Sequence, residues 1–146
     1  MLGIKRVDHV SMAVWKVDEH LPLLTEILGM RLVERYRNPA EGYNGVALDI
    51  VTSAGRAPIQ WEVLEPASDD SFLARFLRER GPGLHHVTFE VEDVDRAAEA
   101  LRKRGIEPHG GVRQNGGWKE LFIHPRDTGG VLIQLYQHLG EHSHEH

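Results

Sequence analysis

Four polar residues recur along the chain as two matched pairs, and their types could bind a metal ion. His9 and Glu62 are 53 positions apart, and His86 and Gln134 are 48 apart. Each lies in the middle of an alternating run, on its more polar side. Two imidazoles, one carboxylate and one amide oxygen suit a divalent ion such as Co, Mn, Ni, Zn or Fe. With open coordination positions, such an ion would act as a Lewis acid. We therefore predict one divalent metal ion per chain, bound by these four residues.

An internal repeat carries both pairs. The segments 8–26 (DHVSMAVWKVDEHLPLLTE) and 85–103 (HHVTFEVEDVDRAAEALRK) are identical at six positions when offset by 77, one of them the histidine of each pair. Both open with apolar residues at every second position, which is typical of a half-buried strand. The segments 58–64 and 130–136 also match at an offset of 72, so that Glu62 corresponds to Gln134. Their opposite face is apolar and is predicted to meet the helices: Trp61, Val63, Ile133 and Leu135.

A helix and three more strands are predicted after the first strand of each copy. The helices are expected to begin at Asp18 and Asp95, which are typical N-cap residues, and to end before glycines that suit a left-handed cap. The two helices end at about Leu28 and Arg104, and the glycines that follow are Gly29 and Gly105. Pro22 lies early in the first helix, where proline is tolerated best. The strands are predicted at 30–36, 45–51 and 58–64, and at 108–113, 118–124 and 130–137.

This order predicts an α+β fold with two βαβββ modules in tandem, whose curled mixed sheets form a metal-binding cleft. The modules are placed at residues 5–66 and 84–138 within a single domain of residues 1–146. Residues 67–83 are a helical linker with Phe72, Phe76 and Leu77 on its apolar side. Residues 139–146 form a His-rich tail, which is expected to be a terminal extension and not part of the site.

Composition excludes several classes of protein. The chain of 146 residues has no cysteine, which rules out a disulfide scaffold, a thiolate metal site and a cysteine nucleophile. Its net charge of −5 argues against nucleic-acid binding. No apolar run approaches the roughly 20 residues of a membrane span, and the first residues lack the apolar stretch of a secretory signal. A cytoplasmic enzyme or binding protein is therefore expected, with no nucleic-acid or membrane partner.

The runs VDHVSMAV, WEVLEP, GLHHVTFEV and HPRDTGGVLIQL resemble the vicinal oxygen chelate superfamily, which includes glyoxalases, bleomycin resistance proteins and dioxygenases. Within it, the similarity is greatest to the methylmalonyl-CoA epimerase family and extends from about Val7 to Gln137. The resemblance implies the glyoxalase-like fold and a homodimer. It also implies a metal ion held by the first-strand histidines and the last-strand Glu or Gln of both modules, here His9, Glu62, His86 and Gln134.

One feature departs from the epimerase pattern. In that family the first module supplies a Gln ligand and the second a Glu, whereas this chain has Glu62 and then Gln134. Aligning GVALDIV with GWKELFI places the family's second catalytic carboxylate at Leu48, which cannot transfer a proton, and makes Glu120 its repeat counterpart. We therefore hypothesise a mirrored site in which Glu62 and Glu120 are the catalytic carboxylates. Asp49 is a fallback acid on the other face from Leu48, and a solvated charge is the alternative role for Glu120.

The resemblance implies epimerisation of a 2-substituted malonyl-CoA, a small-molecule acyl thioester, through a metal-stabilised enolate. Three alternatives remain open: a glyoxalase I-type lactoylglutathione lyase, an Fe(II) ring-cleaving dioxygenase and a metal-free antibiotic-binding protein. The last is disfavoured because aromatic residues make up only 7% of the chain. Basic side chains are available for the coenzyme A phosphates: Arg37, Arg56, Arg113, Lys119 and Arg126.

Overall fold

The computed structural model describes residues 3–140 and contains eight strands and two α-helices in that range. In chain order these are β1 (Ile4–Ala13), β2 (Arg31–Asn38), β3 (Tyr43–Thr52), β4 (Gly55–Pro66), α1 (Phe72–Arg80), β5 (Gly83–Val91), α2 (Val94–Lys103), β6 (His109–Asn115), β7 (Trp118–Ile123) and β8 (Leu132–His138). The α+β class and the twofold order of strand, helical segment and three strands are confirmed. The histidines at the end of the chain lie outside the described residues.

The strands are hydrogen-bonded in the order β2-β3-β4-β1 in the first repeat and β5-β8-β7-β6 in the second. The first and last strands of each repeat are parallel, β1 with β4 and β5 with β8. The inner pairs of each repeat are antiparallel. By contacts, the chain divides into a first unit, His9–His85, and a second unit that combines the chain up to Asp8 with the part from His86 onward. Each unit contains one of the two predicted pairs of metal ligands.

The sheet of the first unit has a hydrophobic core on one face. Val14, Val46, Leu48 and Val63 are each at most 1% exposed there, and Trp61 packs against them. The opposite face, here called the polar face of the first unit, carries His9, Ser11, Ala47 and Glu62, which alternate with the core residues. The prediction that Trp61 and Val63 point away from Glu62 is confirmed.

Helix α1 covers one end of that polar face. Its buried residues Leu73 and Leu77 pack against Ala13 and Leu64 of β1 and β4. The predicted apolar side of this helix was partly wrong, because Phe72 is 46% exposed. Positions 73, 74 and 77 follow the helical period and form the buried stripe, which leaves Phe72 at its margin.

The second unit buries α2 against one face of its strands. Val94, Ala97 and Ala98 of the helix pack on a cluster formed by Leu121 and Leu135. Ile133 borders the same cluster, so the predicted apolar face of β8 is confirmed. Gln134 therefore points to the opposite face, here called the polar face of the second unit.

The first predicted helix, from Asp18 to Leu28, is a helical segment but not a continuous α-helix. The segment forms a 3₁₀ turn at Val17–Glu19 and a π-helical turn at Leu23–Ile27. Pro22 has no N–H to donate, and its ring would clash with the carbonyl four residues earlier. Proline therefore stands at the N-cap of the second turn and interrupts a continuous α-helix. Gly29 and Gly105 do adopt the predicted left-handed conformation, with φ of 76° and 78°.

The predicted cap of the second helix is displaced by two residues. The N-cap is Asp93, whose carboxylate accepts hydrogen bonds from the backbone N–H groups of Asp95 and Arg96. Asp95 lies inside the first turn and pairs with Lys119 at 2.6 Å. Asp18 likewise caps nothing, since Lys16 is the N-cap of the 3₁₀ turn.

Strand β4 begins at Gly55, three residues before its predicted start. Pro58 therefore lies inside a strand, near the shift in the pairing of β3 and β4 between Asp49 and Val51. Such irregular points in a ladder are where proline is tolerated, because it cannot donate a hydrogen bond. Within the described part of the chain, no helix has the length and apolar character needed to cross a bilayer.

The assignment of the cap predicts different effects for two neighbouring aspartates. Asp93→Ala removes two hydrogen bonds to the first turn of α2 and should lower the free energy of unfolding by about 1 kcal/mol. Asp95→Ala loses an exposed ion pair and should cost less, about 0–1 kcal/mol. Urea unfolding of both variants checks this, and an equal or larger loss in Asp95→Ala would contradict the assignment.

Candidate active site

Glu62 is the centre of the polar face of the first unit. Ser11 lies beside it in the register of β1 and β4, and the Ser11 hydroxyl donates to Glu62 Oε1. The Tyr36 hydroxyl donates to Glu62 Oε2. His9 Nε2 lies 3.4 Å from Glu62 Oε1. Both carboxylate oxygens thus receive a hydrogen bond, and Oε1 also faces the imidazole.

The Tyr36 phenol stays protonated beside the Glu62 carboxylate. Burial raises the pKa of the Tyr36 phenol, and the negative charge of Glu62 raises it further. A protonated phenol can only donate to an ionised carboxylate at this position. The arrangement therefore fixes the direction of the Tyr36–Glu62 hydrogen bond.

Gln134 has the equivalent place on the polar face of the second unit. Thr88, its partner in the register of β5 and β8, donates through Oγ1 to Gln134 Oε1 at 2.7 Å. Gln134 Nε2 donates to Glu120 Oε1, also at 2.7 Å. Because a carboxylate only accepts, the Glu120 contact identifies the nitrogen of the amide. The repeat thus preserves a hydroxyl from the first strand next to the polar residue of the last strand.

Glu120 is a buried carboxylate and not a solvated charge. It is 5% exposed, so that alternative for it is wrong. Besides the bond from Gln134, it accepts from Arg113 Nη2 at 3.0 Å and from Asn115 Nδ2 at 2.8 Å. Arg113, considered above for phosphate binding, is therefore engaged with Glu120. Three donors hold one carboxylate in a single orientation.

The strand register corrects the repeat counterpart of Glu120. In the second unit Phe122 lies opposite Gln134, and Glu120 is two residues away on the same face. In the first unit Ala47 lies opposite Glu62, and two residues away is Gly45. The counterpart is therefore Gly45 and not Leu48, which belongs to the hydrophobic core. The alignment was displaced by three residues because the connections between strands differ in length.

Asp49 lies on the same face as Glu62, since it is paired with Gln60 across β3 and β4. Gln60 Nε2 donates to Asp49 Oδ1 at 3.1 Å, and Arg31 Nη2 donates to Oδ2 at 2.9 Å. Burial alone would raise the pKa of Asp49, but these hydrogen bonds and the charges of Arg56 and Arg31 hold it below its usual value. Asp49 is thus an ionised anchor for arginines and is poorly suited to deliver a proton.

His85 packs against aromatic side chains of α1. Its ring packs against Phe76 at 4.9 Å and Phe72 at 5.7 Å between centroids. Burial lowers the pKa of His85 to about 4. The charge of Glu62 raises this pKa by a smaller amount, and the charge of Arg80 lowers it. The imidazole is therefore neutral near pH 7.

His9 and Glu62 lie close enough together to bind one metal ion. Two ligands about 2.1 Å from one ion are at most about 4.2 Å apart, and the 3.4 Å between His9 Nε2 and Glu62 Oε1 meets this limit. His86 is 9% exposed, and its ring contacts that of Phe122.

Sequence reasoning missed most of the residues that hold these groups. Ser11 and Thr88 had a signal, because they are similar residues at the repeat offset of 77 beside the two histidines. Tyr36, Arg113 and Asn115 had none, since they reach the site only through the pairing of strands β2 with β3 and β6 with β7.

The sequence profile of the Glyoxalase/Bleomycin resistance protein/Dioxygenase superfamily matches residues 8–122. The chain belongs to this superfamily. An ethylmalonyl-CoA/methylmalonyl-CoA epimerase of Cereibacter sphaeroides is 30% identical over 142 residues, which cover 92% of this chain and 98% of that protein. The crystal structure of methylmalonyl-CoA epimerase from Mycobacterium tuberculosis matches with a TM-score of 0.79 and 31% identity, over 92% of this chain and 88% of the other.

A further solved structure, a methylmalonyl-CoA epimerase in complex with methylmalonyl-CoA and NH4+, has a TM-score of 0.76 at 28% identity. The match covers 93% of this chain and 96% of that one. These similarities confirm the superfamily predicted from the sequence motifs and its glyoxalase-like fold. They also show that homologues of this chain are epimerases.

The lowered pKa of Asp49 predicts a pH-dependent effect of Asp49→Asn. A group with a lowered pKa in the folded state stabilises the fold above its unfolded value of about 3.9 and loses that contribution as the pH falls through the folded value. At pH 7 the free energy of unfolding of the variant should be about 1–3 kcal/mol lower than that of the wild type, because the new amide nitrogen faces the donors Gln60 and Arg31.

Unfolding measured between pH 7 and pH 2.5 checks this, with the exposed Asp69→Asn as control. The difference between wild type and Asp49→Asn should shrink below about pH 4. A difference that is the same at every pH would contradict an ionised Asp49.

Proposed function

We propose that this chain is a metal-dependent epimerase of a 2-substituted malonyl-CoA thioester, similar in reaction to methylmalonyl-CoA epimerase. The observation that carries the proposal is the 3.4 Å between His9 Nε2 and Glu62 Oε1, a distance that two ligands of one metal ion can have. The epimerases among its homologues, one of them solved with methylmalonyl-CoA, support the substrate class.

His9, Glu62, His86 and Gln134 are the residues that would hold the ion. All are neutral or acidic oxygen and nitrogen donors, as a borderline divalent cation requires. A bound divalent ion supplies Lewis acidity, which stabilises negative charge developing on the substrate's carbonyl oxygen. Gln134 Oε1 keeps a lone pair for such a role beyond its bond from Thr88.

Glu62 and Glu120 are the proposed proton-transfer groups. Epimerisation removes the α-proton of the thioester onto one carboxylate, and the other delivers a proton to the opposite face of the same carbon, so protons balance. Efficient transfer needs bases held in one orientation. Hydrogen bonds from Ser11 and Tyr36 orient Glu62. The donors Arg113, Asn115 and Gln134 orient Glu120.

The identities of the two modules support the mirrored arrangement. In each unit a third-strand position lies diagonally across from the last-strand residue, Gly45 from Glu62 and Glu120 from Gln134. The first unit therefore offers a carboxylate among the proposed ligands, and the second offers a carboxylate beside an amide ligand. Homodimerisation and a cytoplasmic location, expected above, stay predictions.

The first test concerns the metal. We expect one divalent ion per chain in the full-length protein and in a variant that ends at Leu139, with the ion lost in His86→Ala. At a free metal concentration 100 times the dissociation constant, binding should stabilise the fold by about 2.7 kcal/mol. Elemental analysis and thermal unfolding measure both quantities, with His20→Ala as control. Retention of the ion in His86→Ala, or its loss on removing the tail, would contradict the site.

The second test separates the two proton-transfer groups. In D₂O, the metal-loaded enzyme should exchange the C2 proton of both epimers of methylmalonyl-CoA and interconvert them. Glu120→Gln should slow interconversion by about 10²–10⁴-fold but still exchange one epimer, whose proton faces Glu62. Nuclear magnetic resonance of each epimer measures this, and the exposed Glu99→Gln is the control.

Two results would overturn these assignments. Unchanged interconversion in Glu120→Gln would remove Glu120 from the mechanism. Failure of the wild-type enzyme to exchange either epimer, with conversion of the glutathione adduct of methylglyoxal to the lactoyl thioester, would make it a glyoxalase-type lyase.

A further inference from the structure

At the place where the second unit has Glu120, the first unit has a tyrosine ring over a glycine. Gly45 is opposite Tyr36 in the pairing of β2 and β3. Resting on the proposed function, we propose that Tyr36 is a positioning residue that orients Glu62 for metal binding and proton transfer, and that Gly45 is required to admit it.

The Tyr36 ring occupies the space where a side chain at position 45 would begin. A Cβ atom added at Gly45 would lie 2.6 Å from Tyr36 Cε2, 2.7 Å from Tyr36 Cζ and 2.8 Å from Leu64 Cδ2. Real Cβ atoms do not approach other carbons this closely, so no other residue fits there while Tyr36 keeps its position. Gly45 has no positive φ, and its role is therefore room for the ring and not backbone freedom.

The tyrosine also supplies the polarity that Glu62 needs. In the second unit the amide nitrogen of Gln134 requires an acceptor, and Glu120 provides it. In the first unit Glu62 is a carboxylate and requires a donor at the same place, and Tyr36 provides it. Arg113, paired with Glu120 in the register of β6 and β7, is the counterpart of Tyr36. Each unit thus meets the hydrogen-bonding need of its own last-strand residue.

The geometry assigns a specific effect to the phenol. Its bond to Glu62 Oε2 prevents rotation of the carboxylate and keeps Oε1 beside His9 Nε2. Without the hydroxyl, Oε2 would lose its bond from Tyr36, while the bond from Ser11 to Oε1 would remain. Loss of a group that orients a ligand typically lowers metal affinity or activity by about 10–100-fold.

Tyr36→Phe removes the hydroxyl and keeps the ring. We expect the dissociation constant for Mn²⁺, measured by calorimetry, to rise about 10–100-fold. At saturating metal, C2 exchange should slow only for the epimer that still exchanges in Glu120→Gln, through kcat and not KM. Tyr43→Phe is the matched control, because it also removes one hydroxyl from an aromatic ring, and the Tyr43 hydroxyl accepts from Asn38 Nδ2.

Gly45→Ala is a second variant that keeps the hydroxyl but displaces the ring. It should show the same rise in the Mn²⁺ dissociation constant and the same selective loss of exchange. The double variant should be no worse than either single variant in both measurements, because both changes break one hydrogen bond. If Tyr36→Phe does not fold, Gly45→Ala and its thermal midpoint decide the question alone.

The proposal is overturned if Tyr36→Phe binds Mn²⁺ as wild type does, or if exchange of both epimers slows equally. A lower thermal midpoint without the selective loss would also overturn it, since that is the result of a structural role only. If wild type exchanges neither epimer, the proposed function fails, while the change in Mn²⁺ affinity still tests the role of Tyr36.

Discussion

The site depends on one constraint, which is that a polar side chain partly shielded from water must have its hydrogen bonds satisfied. An unpartnered polar group in a protein interior costs several times what a formed hydrogen bond contributes. Glu62 only accepts, and two hydroxyls donate to it, from Ser11 and Tyr36. Gln134 both accepts and donates, and it lies between the hydroxyl of Thr88 and the carboxylate of Glu120. The identity of each last-strand residue thus determines which neighbours it can have.

The same constraint links the third-strand and last-strand residues of each unit. A carboxylate at position 45 would collide with Tyr36 and would face Glu62, a group of like charge. At position 120 a carboxylate is stabilised by the amide of Gln134 and by the guanidinium of Arg113. Glycine at position 45 is therefore compatible with a carboxylate at position 62, and a carboxylate at position 120 with an amide at position 134.

The two units differ at the far end of their polar faces. In the first, Ala13 and Leu64 are apolar and α1 packs over them. In the second, the corresponding pair is Glu90 and Tyr136, which are joined in register. There, residues from the start of the chain complete a polar network, in which Arg6 donates to Glu90 and Tyr136 donates to Asp8. The two units are thus alike at the centre of their polar faces. At the far end, the face is apolar in the first unit and polar in the second.

The sequence by itself determined the repeat, the fold class and the face on which the paired polar residues lie. Alternation along a strand is a local property, so Trp61 and Val63 could be separated from Glu62 without knowledge of any neighbour. The order of elements likewise follows from local signals. The interrupted first helix could have been foreseen, because the effect of Pro22 is also local.

Only the tertiary structure decided which residues meet across strands. Repeat partners are offset by 77 positions in the first strands, 75 in the third and 72 in the last, because the turns between them differ in length. A shift of one residue moves every side chain of a strand to the other face. For that reason the alignment selected Leu48 as the counterpart of Glu120, whereas the register selects Gly45. The alignment also gave no indication of Tyr36. Contacts between strands depend on pairing, which the alternation within one strand does not determine.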